Sequence, residues 1–146
     1  MGFILVNTLI VSYSTIISQT IPIDRLKNAG HYLETRLQNS DNKIVLNTSI
    51  DSYHELFYHT QNVSFFMGLD INFFNTKYID ILKGYFQYFK EGKEHPSDFM
   101  KKYKIKYIHL DRKYSPLIAA TNCLRDNHLF LCYLDNDSMV FETAID

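Results

Sequence analysis

After Pro22 the apolar residues Leu26, Ala29, Leu33 and Leu37 recur at spacings of three and four, the period of one helical face, and the run stops at Asn39-Ser40-Asp41-Asn42. Asp24 stands where it can cap the start of that helix. Lys43 to Asn47 then reads as a short buried strand, Asp51 opens a brief helical segment carrying Tyr53, Leu56 and Phe57, and Val63 to Met67 is a second strand closed by Gly68. From Thr76 to Lys90 the set Tyr78, Ile79, Leu82, Tyr85, Phe86 and Phe89 keeps to one helical face, with Glu91-Gly92 as its stop. Pro96-Ser97-Asp98 begins a short helix that turns Phe99, Met100 and Tyr103 inward. Lys104 to Leu110 is a third strand, and Ser115-Pro116 starts another helix, ended by Arg125 and Asn127. Leu129 to Leu134 and Ser138 to Thr143 flank Asp135-Asn136-Asp137, the pattern of a β-hairpin around a turn of residues tolerant of unusual backbone angles. Helices alternating with strands predict an α/β fold, a small sandwich with a mostly parallel sheet and a C-terminal β-hairpin, preceded by one N-terminal helix.

That first helix is set apart by its polarity. Gly2 to Ile23 holds no Asp, Glu, Lys, Arg or His, a run long enough to cross a bilayer of about 30 Å. Polar residues from Asn7 to Thr20 dilute it, and its most apolar part is Phe3 to Val11. A secretory signal would carry a basic start and a small-residue cleavage site, neither of which is clear here, so residues 1–22 are expected to be an uncleaved transmembrane or anchor helix. A buried core helix or strand is the alternative. Residues 23–146 form the second unit, an α/β soluble domain. Arg25, Lys27 and Arg36 follow the span, with Asp24 and Glu34 among them, and weakly favour a cytoplasmic C-terminal side. Gly2 does not make a myristoylation site, because Val6 stands where Ser or Thr is needed.

Composition narrows the partners. A chain of 146 residues is one ordinary domain, and with 46% hydrophobic and 21% charged residues it should fold. A net charge of −1 gives no footprint for nucleic acid, whose binders cluster positive charge. Cys123 and Cys132 are too few for a disulfide framework and read as small buried hydrophobes. The 11 Tyr, 11 Phe and absent Trp point to biased codon usage, so enrichment of a residue type says little about function.

Few constellations carry chemistry. His54-Glu55-Leu56-Phe57-Tyr58-His59 resembles a zinc-protease motif, but two imidazoles share a helical face only at i and i+4, and Tyr58 holds that position. Asp135-Asn136-Asp137 has the loose Asp-x-Asp pattern of metal sites and is better explained by the hairpin turn. Asn47, Asn62 and Asn136 head formal glycosylation sequons, which a chain rich in Asn also yields by chance. No Gly-rich phosphate loop, Gly-x-Ser-x-Gly elbow or Cys-x-x-Cys is present, so no catalytic residue, metal or cofactor is assigned. In a parallel sheet ligands enter at the C-terminal ends of the strands, where Asn47, Asp70 and Asp111 should gather. The alternative is structural: Asn47 and Asp111 cap loops, and Asp70 fixes the turn after Gly68.

Three segments occur in an informative order: Ser64 to Phe74 with Gly68-Leu69-Asp70, Phe99 to Ile108 with Lys102-Tyr103-Lys104-Ile105-Lys106-Tyr107, and Leu131 to Asp135 followed by Met139-Val140-Phe141. Together they resemble the soluble C-terminal domain of polytopic GT-C type membrane glycosyltransferases, which use lipid-phosphate sugars. In that family a last membrane helix leads into a helix, a strand, and a second strand ending in Gly-Leu-Asp-Pro and an aromatic. A long helix, a Lys-Tyr-x-Ile-x-Tyr-Val strand and a hairpin entered through Tyr-Glu-Asp complete it. The resemblance covers about Ile21 to Ile145, with Gly2 to Gln19 as the last membrane helix. Ile71 replaces the Pro, Leu134 replaces the Glu, and the Trp common after the first strand is absent. The family's catalytic carboxylate lies in an early loop between membrane helices, so none is carried over. The resemblance implies a membrane-attached, extracytoplasmic domain without catalysis of its own, whose partner is the membrane-embedded part of a glycosyltransferase. A fragment of a longer gene would fit it, and this topology is preferred over the mixed charge signal. The alternative is a soluble α/β ligand-binding or enzymatic module with a buried N-terminal segment.

Overall fold

The computed structural model describes residues 24–66, 79–92, 94–115 and 117–144. Five helices and five strands alternate along them: α1 (Lys27–Leu37), β1 (Ile44–Asn47), a 3-10 turn (Ile50–Ser52), α2 (Tyr53–Tyr58), β2 (Ser64–Phe66), α3 (Ile79–Tyr85), α4 (Pro96–Tyr103), β3 (Tyr107–Asp111), α5 (Leu117–Arg125), β4 (Leu129–Leu134) and β5 (Ser138–Thr143). The expected membrane segment and Asp70 lie outside the described residues. Among those described, no helix is long and apolar enough to cross a membrane.

The strands form one sheet in the order β2-β1-β3-β5-β4. β1 pairs in parallel with both β2 and β3, whereas β5 pairs antiparallel with β3 and with β4. The sheet is therefore mixed, correcting the expectation of a mostly parallel one. The reason is the hairpin. α5 carries the chain past one strand position to the edge, and the turn at Asp135–Asp137 folds β5 back into the gap beside β3. The hairpin itself has the strand limits that its apolar runs predict.

Strand alternation divides the core between two faces. Val45, Tyr107 and Val140 pack under α1 and α2 with Leu26, Ala29, Leu33, Leu37 and Leu56. Leu46, Ile108, Leu110 and Phe141 pack on the other side against Tyr85, Phe89, Phe99, Met100, Ala119 and Cys123. Helices α1 and α2 meet closely: a Cβ on Gly30 would lie 2.7 Å from Cβ of His59. β4 carries a bulge between Leu131 and Tyr133, whose partners on β5 are the adjacent Phe141 and Val140. The extra residue turns Cys132 and Tyr133 toward the same face, where Tyr133 stacks on Tyr32 of α1 with ring centroids 4.9 Å apart.

Local details depart from expectation in three places. Asp24 is not a side-chain cap; its carbonyl accepts the N–H of Lys27, and α1 begins without a capping side chain. Lys104 belongs to no strand, because it adopts a left-handed conformation (φ 53°) that closes α4. The helical face begun by α3 passes through a wider π-helical turn over Phe86–Glu91, which leaves Phe86 exposed while Tyr85 and Phe89 are buried.

Candidate functional site

At the C-terminal ends of β1 and β3 the sheet turns polar on the α1 side. Tyr107, His109 and Asp111 alternate along β3, so His109 and Asp111 emerge on the face where Tyr107 is core. Both are fully buried. The Nδ1 of His109 lies 3.0 Å from Oδ1 of Asn47 and its Nε2 lies 3.0 Å from Oγ of Ser138, the first residue of β5. Asn47 donates through Nδ2 to the carbonyl of Ser49, which leaves its Oδ1 to accept from Ser52 Oγ and from the imidazole. This fixes the tautomer: His109 carries its proton on Nδ1 and accepts at Nε2 from the Ser138 hydroxyl. Burial, aided by the Arg25 charge and opposed by Asp111 and Asp135, pushes the imidazole down to about 4.

Asp111 is the centre of a second set of contacts. It takes a two-pronged ion pair from Arg25, at 2.6 Å from Nη2 and 3.0 Å from Nη1. Its Oδ1 also accepts the N–H groups of Lys113 and Tyr114, fastening the loop that follows β3. Its own N–H donates to Ser115 Oγ, which contacts Thr48 Oγ1 at 2.6 Å. Ser115, expected to start α5 as a cap, thus ties that loop to the end of β1. Arg25 reaches beyond Asp111 to Glu55 on α2 at 3.1 Å and to Asp137 in the hairpin turn at 3.8 Å, and its guanidinium lies 5.4 Å from the Tyr114 ring centroid. Burial works to lower its pKa, but Asp111 and Glu55 outweigh this and hold it further above the ordinary arginine value. Two atoms of the cluster, Arg25 Nε and Glu55 Oε2, are buried without a hydrogen-bond partner among the described residues.

The structure therefore brings Asn47 and Asp111 to adjacent strand ends, where Asn47 contacts His109 and Asp111 holds Arg25. The third expected member, Asp70, lies outside the described residues. Sequence pattern assigns no site role to Arg25, Glu55, His109 or Ser138. The polar alternation of Tyr107, His109 and Asp111 within an apolar strand was the signal available for His109. For Arg25 the signal was its position as the first cation after the uncharged N-terminal run.

No match is found among family models, curated proteins or solved structures. Ser138, His109 and Asn47 have the connectivity of a nucleophile, base and orienting group, but all three are buried beneath α1 and α2. Asp135 does not present ligands either. Its Oδ1 accepts from the N–H groups of Asp137 and Ser138, and its Oδ2 accepts from Tyr133 OH. Among the described residues, no three potential metal ligands converge. A groove of about 400 Å³ lined by Lys27, Asn28, His31 and His59, and a cleft of about 180 Å³ between Gly92–Pro96 and α5, lie elsewhere.

Proposed function

We propose that this chain is a non-catalytic extracytoplasmic domain, similar to the C-terminal domain of a GT-C membrane glycosyltransferase and tethered by its N-terminal segment. The observation that carries this reading is the seat of Arg25. It stands two residues past the uncharged run, and Asp111, Glu55 and Asp137 grip it from β3, α2 and the hairpin turn. Arg25, close behind the proposed anchor, is thus held to three parts of the domain, which supports a firm attachment over a slack linker. The helix before β1, the helical segments between β2 and β3 and the closing hairpin are elements that the resemblance implies, and they support the reading. Fractionating the full-length chain with a topology reporter at its C-terminus tests the reading. Membrane retention with an external reporter is expected, and a soluble cytoplasmic product would overturn it.

One observation favours a second reading, a soluble ligand-binding module. The donor Arg25 Nε and the acceptor Glu55 Oε2 are buried and unmatched, which a small polar ligand or a water molecule would remedy. Small-molecule protection of the purified chain against thermal unfolding, abolished by Glu55→Gln, would select it.

A further inference from the structure

Among the described residues the sheet ends at β4, and that edge is unlike a protected one. Protein edges are blunted by charges, proline or covering segments, yet Leu129 to Leu134 contains neither charge nor proline. Phe130 is 58% exposed and Leu134 56%. α5 extends the apolar surface. Ala119 and Cys123 point to the core and Asn122 points to the π-helical turn, donating toward the carbonyls of Tyr88 and Phe89. Leu117 and Leu124, about 20° apart in a helix, lie on the flank of α5 away from the π-helical turn. They are 84% and 60% exposed.

The edge also complements itself. Reversed, the strand reads leucine, aromatic, two central residues, aromatic, leucine, so antiparallel pairing about its midpoint sets Leu129 against Leu134 and Phe130 against Tyr133 of another copy. In a regular strand those partners would point to opposite faces, because such pairs differ in parity. The bulge at Cys132 removes the mismatch for the two outer pairs and confines it to the central Leu131–Cys132 pair: Leu129 and Leu134 lie opposite Thr143 and Met139 on one face, while Phe130 and Tyr133 lie opposite Glu142 and Val140 on the other. The next pair outward brings His128 to Asp135, with the exposed Arg125 behind it, so the basic end of one strand meets the acidic turn of the other.

We infer that the chain forms a two-fold dimer by antiparallel pairing of β4 with β4 of a second copy. Phe130 then packs on the Tyr133–Tyr32 stack, and Leu117, Leu124, Leu131 and Leu134 of both copies close the opposite face. The pairing satisfies the outward backbone groups of the edge, which a lipid surface or a flat apolar partner cannot do. This inference does not depend on whether residues 1–22 cross a membrane.

Sedimentation equilibrium of the full-length chain in one detergent buffer, over roughly 1–100 µM where moderate dimers dissociate, tests it. Phe130→Lys, Leu134→Lys and Leu117→Lys alter side chains already exposed in one copy, and circular dichroism checks that each variant folds. Phe57→Lys, at an exposed aromatic on α2, is the control. The expected result is a dimer in the parent and the control, with association at least about tenfold weaker in the variants. A monomeric parent, a dimer indifferent to all three variants, or equal loss in the control would overturn the proposal.

Discussion

Arg25 faces two carboxylates with almost no access to water, and its replacement isolates what such a cluster contributes. Arg25→Met should destabilise the chain by about 3–5 kcal/mol, because it leaves Asp111 and Glu55 buried without their cation. The shift in urea midpoint at pH 7 measures it. His109 gives an effect of opposite chemistry. Its ordinary value of 6.5 falls to about 4 on folding, so the unfolded chain takes up this proton first as pH drops. Stability is complete above about pH 6.5, declines as pH falls and is lost through pH 4, a total of about 3 kcal/mol. Urea unfolding between pH 7 and 4 should show that slope, and His109→Gln should flatten it. Carboxylates held low by N–H donors give a slope of the same sign, but centred at or below their ordinary values. At Asp126 burial tends to raise the pKa, but the N–H groups of Ser97 and His128 prevail, so its contribution disappears only below its ordinary 3.8.

Elements borrow their ends from distant segments. α4 begins at Pro96 without a capping side chain of its own, and the N–H of Ser97 is taken instead by Asp126 from the turn after α5, at 2.7 Å. Asp126→Ala should cost about 1–2 kcal/mol and fray α4 first, seen as faster amide exchange at Ser97 and at His128. Such capping at a distance explains which parts of the fold could be read from the chain. The helical face of Leu26, Ala29, Leu33 and Leu37 and both hairpin strands follow from local periodicity, which burial alone enforces. The direction of the sheet does not, since the return of β5 between β3 and β4 is decided by pairing across the molecule. The same separation holds at the polar cluster. Asn47 and Asp111 were legible because strand ends attract polar residues. Glu55 was hidden inside an apparent histidine motif, and its partner Arg25 lies 30 residues away.

Across the whole molecule, protection should radiate from β3. All five of its residues are buried, it has a strand on each side, and helices cover both faces. Its amides should exchange only through global unfolding, while those of β4 should exchange at least about tenfold faster in the dissociated chain. Hydrogen exchange read residue by residue would check that gradient. The position of β5 also bears on biosynthesis. It is the last of the five strands to be made, yet it lies between two that precede it. A nascent chain ending anywhere before Ser138 presents β3 with one open side and leaves β4 without the neighbour that holds it. Until Thr143 emerges, the growing polypeptide carries one hydrophobic strand open along one side and another with no neighbour, so its need for chaperones is greatest just before synthesis of the hairpin is finished.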